Sequence, residues 1–136
     1  MKKLLIVDDH AVIRQMICLA LRDHFELEQF GDADSTYASL ATSRPDGIVL
    51  DVMMPGSMSG YQLCQRIKSD PALASIHVVL VTARGQVADQ EFGRALGADA
   101  YFIKPFSPLA LVRHLTTALL PAAGAAETGS KESPLP

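Results

Sequence analysis

The chain has 136 residues, the size of a single domain. Apolar residues make up 49% and charged residues 20%, which is enough for a buried core and too apolar for a disordered polymer. A net charge of −3 offers no clustered basic surface, so the composition predicts neither a direct nucleic-acid partner nor a membrane partner for this chain.

At the start, Met1-Lys2-Lys3 leads into Leu4–Val7, a run cut short by Asp8-Asp9. A signal-peptide core needs roughly 7–15 apolar residues, and no stretch reaches the roughly 18–20 that span a bilayer. The cytoplasm is therefore the expected location. Leu4–Val7 reads as the first strand. Val12, Ile13, Met16, Ile17, Leu19 and Ala20 then recur at helical spacing. A weaker strand follows near Glu26–Phe30, and a second helix carries Tyr37, Leu40 and Ala41 behind a cap at Asp34 or Ser35.

Ile48–Leu50 is the third strand. Leu63, Cys64 and Ile67 form the next helical stripe, ended by Ser69-Asp70-Pro71 because proline disfavours helical geometry in the residue before it. Val78–Val81 is the fourth strand. Phe92, Ala95 and Leu96 belong to a helix stopped at Gly97, a C′ glycine. Tyr101–Ile103 is the fifth strand, and the last helix runs from about Pro108 to Leu120 with Ser107 as its cap. Short, continuous apolar strands alternating with helices predict an α/β doubly wound fold with a parallel sheet. Residues 1–121 form the predicted domain. Ala122–Pro136, rich in Ala, Gly, Ser, Glu and Pro, is expected to be a disordered tail or linker. Cys18 and Cys64 are isolated, and read as reduced, mostly buried side chains rather than a disulfide or zinc pair.

In open α/β sheets, ligands bind beyond the carboxyl ends of the strands. Asp8 and Asp9 follow the first strand, Asp51 ends the third, Thr82 ends the fourth and Lys104 ends the fifth. Parallel strands would bring all five to one edge. Two carboxylates about 5 Å apart repel by about 3 kcal/mol at an effective dielectric of about 20, so such a cluster either shares protons or holds a cation. With no His or Cys read into the pocket, its oxygen donors favour magnesium, or manganese, over zinc. A cation, a lysine and a hydroxyl around one carboxylate suit phosphoryl transfer, with Asp51 as nucleophile.

Taken together, Ile6-Val7-Asp8-Asp9, Val49-Leu50-Asp51-Val52-Met53-Met54-Pro55, Gly60-Tyr61-Gln62-Leu63, Val81-Thr82-Ala83, Gly97-Ala98-Asp99 and Tyr101-Phe102-Ile103-Lys104-Pro105-Phe106 resemble the receiver domain of two-component response regulators over residues 3–120. The resemblance implies a flavodoxin-like five-stranded sheet of order 2-1-3-4-5 with five helices. It implies that Asp51 accepts a phosphoryl group from the phosphohistidine of a sensor histidine kinase or phosphotransfer protein. Asp8, Asp9, Asp51 and the backbone carbonyl of Met53 would hold Mg2+, with one acid able to act through a water. Lys104 would pair with the phosphoryl group, Thr82 would hydrogen-bond it, and the Lys104-Pro105 peptide would be cis. Thr82 and Tyr101 would act as a switch, changing the face made by the fourth helix, fifth strand and fifth helix, where an unknown downstream protein binds.

A receiver of this kind modifies itself and is not a turnover enzyme on an external substrate. Met53 and Arg84 occupy positions where family members vary in dephosphorylation rate, so both are expected to tune the pocket. The loop Pro55–Gly60 is one residue longer than the common family form, and Ser59 stands where an acid is frequent. His77 replaces a common proline, His10 reads as a surface residue at a helix start with tuning of the pocket as the alternative, and Ala100 stands where transcription-factor receivers often carry an acid. Two other functions on a related α/β fold fit the sequence less well. A phosphatase with an aspartyl-phosphate intermediate would use a strand-Asp-x-Asp arrangement, whereas these acids are adjacent. A flavin-binding flavodoxin would need hydroxyl and amide donors where Asp8-Asp9-His10 stands.

Overall fold

The period-two alternation of the strands decides the architecture seen in the computed structural model, which describes residues 1–83 and 85–120. The elements run β1 (Lys3–Val7), α1 (Ala11–Leu21), β2 (Glu26–Phe30), α2 (Ala33–Ser39), β3 (Gly47–Asp51), α3 (Gly60–Ser69), β4 (His77–Thr82), α4 (Val87–Ala95), β5 (Ala100–Ile103) and α5 (Pro108–Leu119). All pairings are parallel, in the order β2-β1-β3-β4-β5. The expected sheet order and the five helices are present. Arg84 and the Ala122–Pro136 segment, for which a pocket role and a linker were expected, lie outside the described residues.

Successive strand side chains point to opposite faces, and two apolar layers result. Leu5, Val7, Ile48, Leu50, Val78 and Leu80 pack with Leu63, Cys64 and Ile67 of α3. Leu4, Ile6, Val49, Val79 and Val81 pack with Ile17 and Leu21 of α1 and with Leu111 and Leu115 of α5. Because β1, β3 and β4 are covered on both sides, their sequences are apolar throughout. The edge strand β2 is not, and its exposed Glu26, Glu28 and Gln29 explain its weak signal.

Local chemistry sets the helix ends. Helix α2 starts earlier than either predicted cap: Asp32 is the N-cap and accepts from the Ser35 amide at 2.6 Å. Asp34 and Ser35 lie in the first turn and share the N-cap chemistry of Asp32, so the observed start precedes the predicted caps by two or three residues. Ser107 caps α5 as predicted, accepting from the Ala110 amide. Gly97 has φ +97°, the left-handed conformation expected of a C′ glycine. Val12 and Leu19, read from sequence as part of the apolar stripe of α1, are exposed, and Leu21 shares the burial with Ile17 instead. Cys18 and Cys64 carry free thiols. Cys64 is fully buried, and burial pushes its thiol up to about 11.

Candidate functional site

The carboxyl ends of β1 and β3 deliver two acids into one pocket. Asp8 follows Val7, and its amide donates to the Phe30 carbonyl, which extends the β1–β2 pairing by one residue. Asp51 is the last residue of β3, paired with Val81 of β4. Asp8 and Asp51 are 2% and 3% exposed, so both carboxylates have lost most of their water. Asp9 is more open. One donor atom from each of Asp8, Asp9, His10 and Asp51 lies within 4.8 Å of the others.

Lys104 comes from the far side of the sheet. Its amide donates to the Thr82 carbonyl at 2.8 Å, fixing the chain just past β5. The Lys104-Pro105 peptide is cis. The ammonium Nζ stands 3.1 Å from Asp8 Oδ2 and 3.6 Å from Asp51 Oδ2. Burial, followed by the Asp8 charge, pushes the Asp51 carboxyl up to about 6, against the pull of Lys104. The lysine therefore does not neutralise the pocket: three carboxylates face one ammonium. A second positive charge is what the donor set lacks, and closely spaced carboxylate oxygens are the ligands that hard divalent cations take. The residues present fit such a cation.

Thr82 ends β4 fully buried, one strand away from Asp51. The Met53 amide donates to Asp51 Oδ1 at 3.3 Å, while the Met53 side chain is exposed. Opposite the pocket, α3 begins hard against β3. A Cβ on Gly60 would lie 2.2 Å from the Asp51 carbonyl oxygen and 2.8 Å from the Val52 Cα. No side chain fits there, and the glycine lets the helix start pack against the strand end that carries Asp51. Ser59, which stands where an acid is frequent, caps this helix in a reciprocal box with Gln62. The lengthened loop before it is tied to α2 by Ser57 Oγ donating to Asp34 Oδ1 at 2.7 Å.

Several residues do more than their sequence context suggested. His10 is exposed at the start of α1, as expected, yet its Nδ1 lies 3.2 Å from both Asp8 Oδ1 and Asp9 Oδ1. The expectation of a pocket without histidine is thus corrected; position next to the acidic pair was the available signal. The Arg14 guanidinium, one turn along α1, donates to the Asp8 carbonyl and to Gln29, bracing the strand end. The hydroxyls of Tyr101 and Tyr61 stand 2.9 Å apart, and Phe92 of α4 meets the Tyr61 ring edge-on at 4.9 Å. The residue named as a switch is thereby connected to α3, a link for which sequence offered no sign. His77, read as a neutral replacement, faces His114 of α5 with their Nε2 atoms 2.8 Å apart.

An open parallel α/β sheet with a carboxylate and lysine pocket at its C-terminal edge is the class of protein these features define. The chain belongs to the response regulator receiver domain family, whose model matches residues 4–116. It is 40% identical over 119 residues to the phosphate regulon transcriptional regulatory protein PhoB of Pseudomonas aeruginosa, covering 87% of this chain and 52% of that protein. It is 33% identical over 119 residues to the DNA-binding response regulator MtrA of Mycolicibacterium paratuberculosis, covering 87% and 51%. Among solved structures, the signal receiver domain of a signal transduction histidine kinase from Syntrophus aciditrophicus superposes with a TM-score of 0.81 at 29% identity, covering 99% of this chain and all of that one.

The chain thus spans about half the length of the curated relatives it matches. Those names overturn the expectation of a protein with no nucleic-acid partner. That expectation rested on the net charge of these 136 residues and on Ala100, neither of which describes the part of the relatives that lies outside the alignment. The remaining half of PhoB or MtrA has no counterpart in the aligned stretch, so the surface charge of this chain is no guide to it. Among the described residues, no helix is long and apolar enough to cross a membrane.

Proposed function

We propose that this chain is a phosphoryl-accepting receiver in which Asp51 attacks the phosphorus of a phosphohistidine on a sensor kinase or phosphotransfer protein. The P–N bond breaks as a P–O bond forms at the Asp51 carboxylate, and the departing imidazole keeps the electron pair and takes up a proton. The observation that carries this reading is the pairing of a buried Asp51 with an Asp8-bound Lys104 ammonium 3.6 Å away. Lys104 would neutralise one oxygen of the moving group, and the Thr82 hydroxyl would donate to another. Asp8, Asp9, Asp51 and the Met53 carbonyl would hold Mg2+, with Mn2+ as the substitute. When bound, the cation supplies charge neutralisation on the phosphoryl oxygens.

After transfer, Thr82 would be drawn inward and Tyr101 would follow, changing the α4-β5-α5 face for a downstream partner. The names of the relatives point the output towards transcription. The setting is cytoplasmic, and the chain turns over its own acyl phosphate rather than an external substrate. Residues 1–121 are the proposed receiver unit.

Incubation with MgCl2 and a small phosphodonor such as acetyl phosphate, followed by intact mass, tests the proposal. One added phosphoryl group is expected in the wild-type chain and none in Asp51→Asn or in the presence of chelator. An unmodified wild type, or equal modification of Asp51→Asn, would overturn it.

A further inference from the structure

Phosphoryl acceptance as described gives the His10 imidazole no task, yet the ring reaches into the acidic cluster. Its backbone is fixed from two sides. The His10 amide donates to Asp8 Oδ1 at 2.8 Å, and the His10 carbonyl accepts from the Arg14 amide at 3.0 Å in the first turn of α1. The side chain is 61% exposed, so the ring is held by no core packing and its position is set by the carboxylates.

Nδ1 stands 3.2 Å from one oxygen of Asp8 and 3.2 Å from one oxygen of Asp9. Two donors at right angles around a cation, with bonds of about 2.1–2.2 Å, are separated by about 3.0–3.1 Å. The imidazole nitrogen therefore stands from each of the two oxygens at about the spacing of neighbouring donors around one cation. A neutral imidazole that carries its proton on Nε2 leaves the Nδ1 lone pair to be offered to a cation.

We propose that His10 Nδ1 is an additional donor to the divalent cation held by Asp8, Asp9 and Asp51, biasing the site from Mg2+ towards first-row cations of the Fe2+ to Zn2+ group. This rests on the cation-dependent function proposed above. Mg2+ prefers oxygen and retains its waters, whereas imidazole nitrogen favours the later first-row ions. A nitrogen beside three carboxylates thus changes selectivity, not merely affinity.

The probes are Co2+ and Mg2+, titrated calorimetrically into the untagged chain and its His10→Asn variant. Asparagine also serves as an N-cap, so the start of α1 is kept. The Co2+ to Mg2+ affinity ratio is expected to fall by about tenfold or more in the variant. Co2+-loaded wild type should also show a hyperfine-shifted, exchangeable imidazole N–H proton resonance that His10→Asn lacks. Equal ratios in the two proteins, or the same shifted resonance in both, would overturn the inference and leave the phosphoryl-acceptor reading intact. Failure of both cations to bind the wild type would overturn that reading as well.

Discussion

Burial raises the ionisation of Asp51 to about 6, the Asp8 charge adds to the shift and Lys104 opposes it. In the unfolded chain an aspartate ionises near about 3.9. A carboxyl with a raised folded value favours folding fully below the unfolded value, and that contribution is lost as pH rises through the folded value. Above pH about 6, then, the ionised Asp51 works against the fold, a strain held in reserve for the cation and the phosphoryl group. Asp51→Asn removes the charge and keeps the shape. With chelator present, the variant should exceed wild type in urea midpoint at pH 8, and the gain should vanish at pH 4. A gain of equal size at both values would mean that packing, not charge, sets the difference. Met53 faces solvent next to this carboxylate. A thioether there hinders an attacking water more than an amide does, so the phosphoryl group should decay faster in Met53→Asn; equal or slower decay, followed by intact mass over time, would remove the idea.

At the scale of elements, legibility followed burial. Strands β1, β3 and β4 are covered on both faces, so their sequences are apolar runs readable without any partner information, and the acids that follow β1 and end β3 were readable for the same reason. Strand β2 has only one neighbour, and its alternating charges blur its signal. The start of α2 was misplaced because Asp32, Asp34 and Ser35 all have N-cap chemistry, and only the path of the chain after Phe30 selects Asp32. Val12 and Leu19 fit a helical stripe but point outward, since periodicity fixes a face only to within a residue or so. Cross-element contacts were not legible: the Tyr61–Tyr101 hydroxyl pair bridges 40 residues of sequence, and the His77–His114 pair bridges 37. Neither has a local signature. Gly60 lies between these cases, since its motif was quoted from sequence, while the reason only glycine fits appears with the Asp51 carbonyl 2.2 Å from a would-be Cβ.

Across the whole molecule, the pocket gathers residues from the ends of β1, β3 and β4 and the segment after β5, so its charges load the same edge of the sheet from both directions. The mutual repulsion of Asp8, Asp9 and Asp51 acts between segments up to 43 residues apart in sequence, and Lys104 ties the last of them back to the first. A ligand that relieves this repulsion in the folded chain has no equivalent site in the unfolded chain, where the acids are separated. Binding therefore adds to global stability by mass action, about 2.7 kcal/mol when the free cation is at a hundred times its dissociation constant. Thermal unfolding should shift upward by several degrees as MgCl2 is raised from zero to saturation, with the ionic strength held constant by NaCl. In Asp9→Asn the shift should shrink or move to higher cation concentration, because a charged ligand is lost while the isosteric amide keeps the fold. A melting temperature indifferent to Mg2+ at constant ionic strength would show that Lys104 alone satisfies the carboxylates, and that the three acids do not form a cation site.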